Sequence, residues 1–228
     1  IYKLRNNKMN IWMGILVSYL YIALVIMGAK IFEKKGKEAS RKFIHIMLGN
    51  WWFIAMYYFT NVFFAAFVPA TFIIINYLSY KKDIIKVMER DQQDGLGTVY
   101  YAVSLFILVI VSFGICKTPS LGLIPNLVMA YGDGFAALLG KAIKSKKYKL
   151  GDSKKSTAGS ITMMIISTIL IGAYLAFWHP TAFWATPHWP LISVLIGFAI
   201  TAIEAISVKG TDNITVPLGT LCMLLMIG

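Results

Sequence analysis

Acidic side chains are scarce in this chain. Of its 228 residues, ten are Asp or Glu against 22 Lys or Arg, and 14% are charged, where a soluble domain carries about 25%. Cysteine is scarcer still. Cys116 and Cys222 both fall in apolar runs, and two isolated cysteines give neither a disulfide framework nor a metal-ligand spacing. His45, His179 and His188 stand far apart and make no zinc pattern. No G-x-x-x-x-G-K-[ST] is present, so no P-loop nucleotide fold is indicated.

Apolar sequence takes the place of charge. The chain is 58% hydrophobic, with a mean hydropathy of +0.69. Eight apolar runs can be marked: Ile11–Ile31, Phe43–Phe59, Val62–Tyr80, Thr98–Cys116, Leu121–Leu139, Ile161–Trp178, Pro190–Val208 and Ile214–Ile227. All but the last approach the length that a helix needs to cross a bilayer. Helices are expected because lipid offers backbone groups no other partner. The pattern predicts an all-α, polytopic transmembrane helical bundle of about eight spans, with residues 1–228 forming a single integral membrane domain. Lys3, Arg5 and Lys8 precede a run of full length, so no cleavable signal peptide is expected.

The segments between runs fall into two alternating sets. Residues 33–42, 81–97, 141–160 and 209–213 carry most of the charge, whereas 60–61, 117–120 and 179–189 carry only Lys117. The positive-inside bias predicts a cytoplasmic position for the charged set, and hence a site facing the cytoplasm. A net charge of +12 would suggest nucleic acid on a soluble protein. Here the bases lie in short segments between spans, so nucleic acid is set aside. Topology, anionic headgroups or an anionic ligand are the expected uses.

With so few acids, those inside apolar runs stand out. Asp133 lies between Gly132 and Gly134 in the fifth run. A carboxylate there costs roughly 3 kcal/mol or more to insert, which makes it a functional candidate. The structural alternative is a carboxylic acid bonded to a neighbouring helix. Glu204 lies near the end of the seventh run, and Asp212 follows in Gly210-Thr211-Asp212-Asn213, where it could simply cap the next helix. Three hard oxygen donors suit Mg²⁺, which is commonly held by one or two carboxylates and the phosphates of a substrate.

Three basic or polar stretches complete the candidates. Seven lysines stand against Asp152 between Lys141 and Lys155, and Lys154-Lys155-Ser156-Thr157-Ala158-Gly159-Ser160 opens the sixth run. A helix start with Ser and Gly nearby suits an anion; alternatively Ser156 is an N-cap and the lysines are an interfacial anchor. Arg41, Lys42 and His45 can share a helix face, or form a snorkelling basic anchor beside a satisfied histidine. Asn50, deeper in the same run, suits a bond to a neighbouring helix. The segment Lys81–Gly97 reads as an in-plane amphipathic helix, with Ile84, Ile85 and Met88 set against charges that include Arg90, and then a glycine turn. A mobile lid is its functional alternative.

Asp133-Gly134-Phe135-Ala136 resembles the D-G-x-x-A of the CDP-alcohol phosphotransferases. That family continues with Arg and two further spaced aspartates, which this chain lacks. A different resemblance rests on four segments together: Ser40-Arg41-Lys42-x-x-His45; Gly132-Asp133-Gly134-Phe135-Ala136 with Gly140-Lys141; Lys154-Lys155-Ser156-x-Ala158-Gly159-Ser160; and Glu204 followed by Asp212-Asn213-Ile214-Thr215-Val216-Pro217. Spanning residues 40–217, the set resembles the polytopic CTP-dependent lipid-alcohol kinases: phytol and farnesol kinases, dolichol kinase and the CTP-type diacylglycerol kinase, relatives of phosphatidate cytidylyltransferase. Ala158 and the D-N-I-T-V-P ending resemble the phytol-kinase form.

The resemblance implies Mg²⁺-dependent phosphoryl transfer from CTP to a membrane lipid alcohol. It implies catalytic roles for Asp133, Glu204 and His45, and metal binding by Asp133, Glu204 and Asp212. Nucleotide phosphates would meet Arg41, Lys42, Gly132, Gly134, Lys141, Lys154, Lys155, Ser156, Gly159 and Ser160, with Asn50, Asn213 and Arg90 as further candidates. Two rival expectations stand beside it. One is a cytidylyltransferase making a CDP-lipid, although that family's own signature is absent. The other is a non-enzymatic carrier of an anionic lipid or solute, with Asp133 and Glu204 as coupling sites.

Overall fold

A computed structural model describes residues 8–34, 36–82, 84, 96–150, 153–177, 188–208 and 210–227. The expected amphipathic helix of Lys81–Gly97, with Arg90, falls almost wholly outside the described residues. The chain divides into two compact units, Ile1–Leu123 and Ile124–Gly228.

Among the described residues, six helical stretches are long and apolar enough to cross a membrane: Asn10–Glu33, Val62–Lys82, Gly97–Ile115, Pro119–Ala142, Thr157–Phe177 and Trp189–Ile206. A shorter apolar helix, Asp212–Ile227, follows. Large apolar side chains lie exposed in helical register along them, such as Leu16, Leu20 and Leu24, or Ile161, Ile165 and Ile169. Water disfavours such stripes, whereas lipid accepts them. The protein is an all-α polytopic integral membrane protein.

The first unit contains α1 (Lys8–Glu33), α2 (Lys37–Gly49), α3 (Trp51–Tyr58), α4 (Val62–Lys82) and α5 (Gly97–Val109), which runs on as a π-helical turn, Ile110–Ile115. It also holds the start of α6 (Pro119–Leu127). α1 packs on α2 and α3, and α4 packs on α5. The run Phe43–Phe59, expected as one span, is two helices joined at Asn50. The Asn50 side-chain amide donates to Met47 O at 3.3 Å, the local side-chain-to-backbone bonding that competes with a regular helix. Two buried indoles pin the unit. Trp51 Nε1 donates to Ser18 Oγ at 3.0 Å and Trp52 Nε1 to Pro119 O at 2.9 Å.

In the second unit α6 passes through a π-helical turn, Val128–Asp133, into α7 (Gly134–Ala142). The widening follows Pro125, which lacks an N–H and crowds the carbonyl of the preceding turn. The lysine-rich segment, expected as a loop, contains an antiparallel hairpin of β1 (Lys147–Leu150) and β2 (Ser153–Ser156), with Tyr148 opposite Lys155. Then come α8 (Thr157–Phe177), α9 (Trp189–Ile206) and α10 (Asp212–Ile227). α8 packs against α7, α9 and the π-turn, and α10 against α9 and the π-turn. The buried stripe of α9 is Ser193, Ile196, Gly197, Ile200 and Glu204, spaced three or four apart as helix packing requires. Glu204 is therefore delivered to the interior by the same periodicity that buries its apolar neighbours.

Candidate active site: three carboxylates and a lysine

Four elements bring their charged residues to one place. Asp133 ends the π-turn, a helix irregularity often found at functional sites. Glu204 stands one turn from the end of α9, Asp212 opens α10, and Lys155 lies in β2 just before α8. A short turn returns the chain from α9 to α10. Thr211 N donates to Val208 O at 2.8 Å and Val208 N to Thr211 Oγ1 at 3.0 Å. Gly210 takes φ +84°, a left-handed value that suits glycine. Hydroxyls of Ser207 and Thr215, 2.6 Å apart, clip the two helices together beneath it.

One carboxylate oxygen from each of Asp133, Glu204 and Asp212 lies within 4.8 Å of the others. Asp133 is 7% exposed and Glu204 4%. The Lys155 ammonium donates to Glu204 Oε1 in a close ion pair and stands 3.8 Å from Asp212 Oδ2. Burial works against the charge on Lys155, but Glu204, Asp212, the hydrogen bond to Glu204 and Asp133 together outweigh it, so its pKa is raised above the usual lysine value. A raised pKa keeps the ammonium protonated throughout the neutral range. When ionised, three carboxylates and one ammonium sum to −2, a surplus that a divalent cation neutralises.

The residues around Lys155 have structural partners. Ser156 Oγ donates to Gly140 O at 3.2 Å and accepts from Gly159 N at 3.2 Å, capping α8. Thr157 N reaches Lys146 O at 3.0 Å, and Ala158 N reaches Ser145 Oγ at 3.2 Å. The first amides of α8 are thus taken within the chain. Ser160 Oγ and Tyr148 OH share a short hydrogen bond. The glycines allow α7 and α8 to touch. A Cβ on Gly140 would stand 2.6 Å from Ser156 Oγ, and one on Gly159 would stand 2.9 Å from Ala136 O. Gly132 has the same role against Met163, whose Sδ would be 2.6 Å from an added Cβ. Gly134 is buried at the start of α7, Lys141 is exposed near its end, and Lys154 pairs with Lys149 across the hairpin. Asn213 follows Asp212 and is buried; its backbone N–H donates to Asp212 Oδ1 at 3.1 Å.

The remaining expected residues lie in the first unit. Arg41 makes a two-point ion pair with Glu38, at 3.1 Å and 2.6 Å. Lys42 is 2% exposed. His45 is buried, meets the ring of Tyr101 edge-on at 4.8 Å, and accepts from Tyr101 OH at its carbonyl at 3.3 Å. Asn50 stands at the α2–α3 junction. Sequence reasoning missed Ser145 and Tyr148, which anchor the start of α8. A lysine-rich segment masks them, and the only signal was a single aromatic among lysines.

The architecture and the cluster define a class: a helical integral membrane protein with a buried carboxylate–lysine centre. Comparison with known proteins narrows it. No protein-family model and no solved structure matches the chain. The phytol kinase of Synechocystis is 29% identical over 221 residues, covering 95% of this chain and 93% of that protein. A probable chloroplastic phytol kinase 1 of rice is 31% identical over 202 residues, covering 81% of this chain and 63% of the rice protein. Phytol kinase 1 of Arabidopsis thaliana is 27% identical over 202 residues, with this chain spanning 65% of it. The chain is thus related to the phytol kinases along most of its length, which bears out its resemblance to the lipid-alcohol kinase family.

Proposed function

We propose that this protein transfers the γ-phosphoryl group of a nucleoside triphosphate, with CTP as donor, to the hydroxyl of an isoprenoid alcohol such as phytol in the bilayer. The observation that carries this reading is the convergence of Asp133, Glu204, Asp212 and Lys155 in a chain related to phytol kinases. Asp133, Glu204 and Asp212 would hold Mg²⁺. Their donors are all hard oxygens within 4.8 Å of one another, and neighbouring ligands around six-coordinate Mg²⁺ stand about 3 Å apart, so small side-chain rotations close the set. When bound, Mg²⁺ supplies charge neutralisation for the triphosphate.

The chain's own residues do the rest. Lys155, with Lys154, Arg41 and Lys42 as the motifs imply, offsets the phosphate charge. The lipid hydroxyl oxygen forms its bond to the γ-phosphorus as the bond to the bridging oxygen breaks. Asp133 takes the hydroxyl proton, and CDP and a lipid monophosphate leave. Phosphoryl transfer needs chiefly positioning and charge stabilisation, which a buried, fixed cluster provides. The same reading puts the cluster and the lysine hairpin on the cytoplasmic face, where the donor is.

The test is incubation of the detergent-purified protein with γ-labelled CTP, Mg²⁺ and phytol, farnesol, a long polyprenol or diacylglycerol in turn. The expected result is label in one organic-phase product, strongest with phytol, and unlabelled CTP outcompeting ATP. Failure of every nucleotide to label any alcohol would overturn the kinase reading. Label entering lipid from α-labelled CTP and phosphatidate would establish a CDP-lipid synthase instead.

A further inference from the structure

Lys155 is fixed at its root and carries its charge away on a flexible stem. Its backbone pairs with Tyr148 across the hairpin, and the next residue, Ser156, is tied to Gly140 and Gly159. From there a four-carbon stem carries the ammonium to Glu204, 49 positions later in the chain, and to within 3.8 Å of Asp212. The Lys155 side chain is 19% exposed against 5% for that of Glu204, so the cation sits at the rim of a buried anionic centre. An ammonium there does electrostatically what a metal ion would do, neutralising carboxylates that repel one another. The two cations draw on the same carboxylates at different distances, about 2.8 Å from a lysine nitrogen and about 2.1 Å from Mg²⁺. Each cation lessens the Glu204 charge left for the other.

We propose that Lys155 is the resident counter-cation of the Asp133–Glu204–Asp212 cluster, holding it together in the metal-free protein and competing with a divalent cation for Glu204. This rests on the metal assignment made above and adds a role for the lysine that phosphate neutralisation alone does not include. The lysine keeps three like charges gathered before any ligand arrives. Entry of the metal then releases the ammonium, on a flexible stem at the rim, toward the incoming anion. Metal and nucleotide therefore bind with positive coupling, because the first frees a partner for the second.

The test uses Mn²⁺ alone, without nucleotide or lipid alcohol. Free Mn²⁺ is followed by electron paramagnetic resonance during titration of the detergent-purified wild-type protein, Lys155→Met and Lys155→Arg. Removing the competing charge is expected to tighten Mn²⁺ binding by about tenfold or more in Lys155→Met, whereas Lys155→Arg stays near wild type. Metal-free Lys155→Met should also melt below wild type and gain more from Mn²⁺. If it is not monodisperse without metal, preparing it with Mn²⁺ becomes the test: rescue supports the proposal, and no rescue overturns it. Unchanged or weaker Mn²⁺ binding in a folded Lys155→Met overturns it while leaving metal binding and the kinase reading intact. Absence of Mn²⁺ binding to every form would remove the metal assignment and this proposal together, whereas the labelling assay judges the kinase reading separately.

Discussion

Two motifs of similar composition are used differently. In the first unit, Ser40, Arg41 and His45 make near or backbone-directed contacts: Ser40 Oγ with Ala29 O at 2.8 Å, Arg41 with Glu38 one turn away, and His45 with Tyr101. In the second unit, most of Lys154–Ser160 is equally occupied in holding α8 against α7 and the hairpin. One residue departs from that pattern. Lys155 leaves its surroundings to meet Glu204 and Asp212. Serine, lysine and glycine in such a motif are mostly construction. What makes Lys155 the candidate is a charge that travels a long way to find opposite charge in a buried place, where ions are costly unless paired.

The largest expected effect sharpens that contrast at the cluster. Asp133→Asn keeps the shape and removes one buried anion. Transfer of label to lipid should fall by about 10³-fold, on the scale of losing a key charge-stabilising group, and Mn²⁺ binding should weaken in parallel. Retention of full activity would place the chemistry elsewhere. Glu204→Gln comes next. It leaves the Lys155 ammonium without its nearest carboxylate, so activity should fall by about 10²-fold and stability by about 3 kcal/mol, as when half of a buried pair is removed. The double variant Lys155→Met/Glu204→Gln should regain part of that stability, because neither charge is then stranded; melting temperatures decide it.

The spans were legible from apolar run length because lipid imposes it, and the alternation of charged and uncharged segments followed. Asp133 and Glu204 were legible because each interrupts a run that hydropathy otherwise explains, whereas Asp212 lies between runs. Their convergence was anticipated from three hard oxygen donors suited to one divalent cation, and the motif resemblance implied it as well. The turn at Gly210-Thr211-Asp212-Asn213 was legible from its residues, but run length and composition do not reveal the π-turn that carries Asp133, a local irregularity of backbone. The break at Asn50 escaped for the opposite reason, because hydropathy is continuous across it. Likewise, the hairpin is hidden by lysines that say nothing of strand pairing, and Gly132 and Gly159, expected to meet nucleotide phosphates, also admit a neighbouring helix, which their motifs do not announce.

That last point gives a smaller effect, one of stability rather than chemistry. Gly159→Ala would press a methyl group to 2.9 Å from the carbonyl oxygen of Ala136, a backbone atom that cannot turn aside. Overpacking of this kind costs about 1–3 kcal/mol. The expected outcome is a lower melting temperature, with phosphate transfer per folded molecule near wild type. A normal melting temperature with lost nucleotide affinity would reverse the reading, making Gly159 an opening for phosphate after all.

The smallest expected effect decides whether the first motif acts at all. Arg41 and Glu38 form a partly exposed pair one turn apart, and such pairs contribute about 1 kcal/mol or less. Arg41→Ala should therefore barely move the melting temperature. If Arg41 also meets the donor's phosphates, as the motif implies, losing that charged contact should raise KM for CTP about tenfold and leave kcat nearly unchanged. Glu38→Gln separates the two roles. It breaks the same ion pair but keeps the guanidinium, so KM should hold or fall slightly as Arg41 is freed. Equal KM changes in both variants would mean that the pair only shapes α2, and the contrast between a structural first motif and a chemical second one would then be complete.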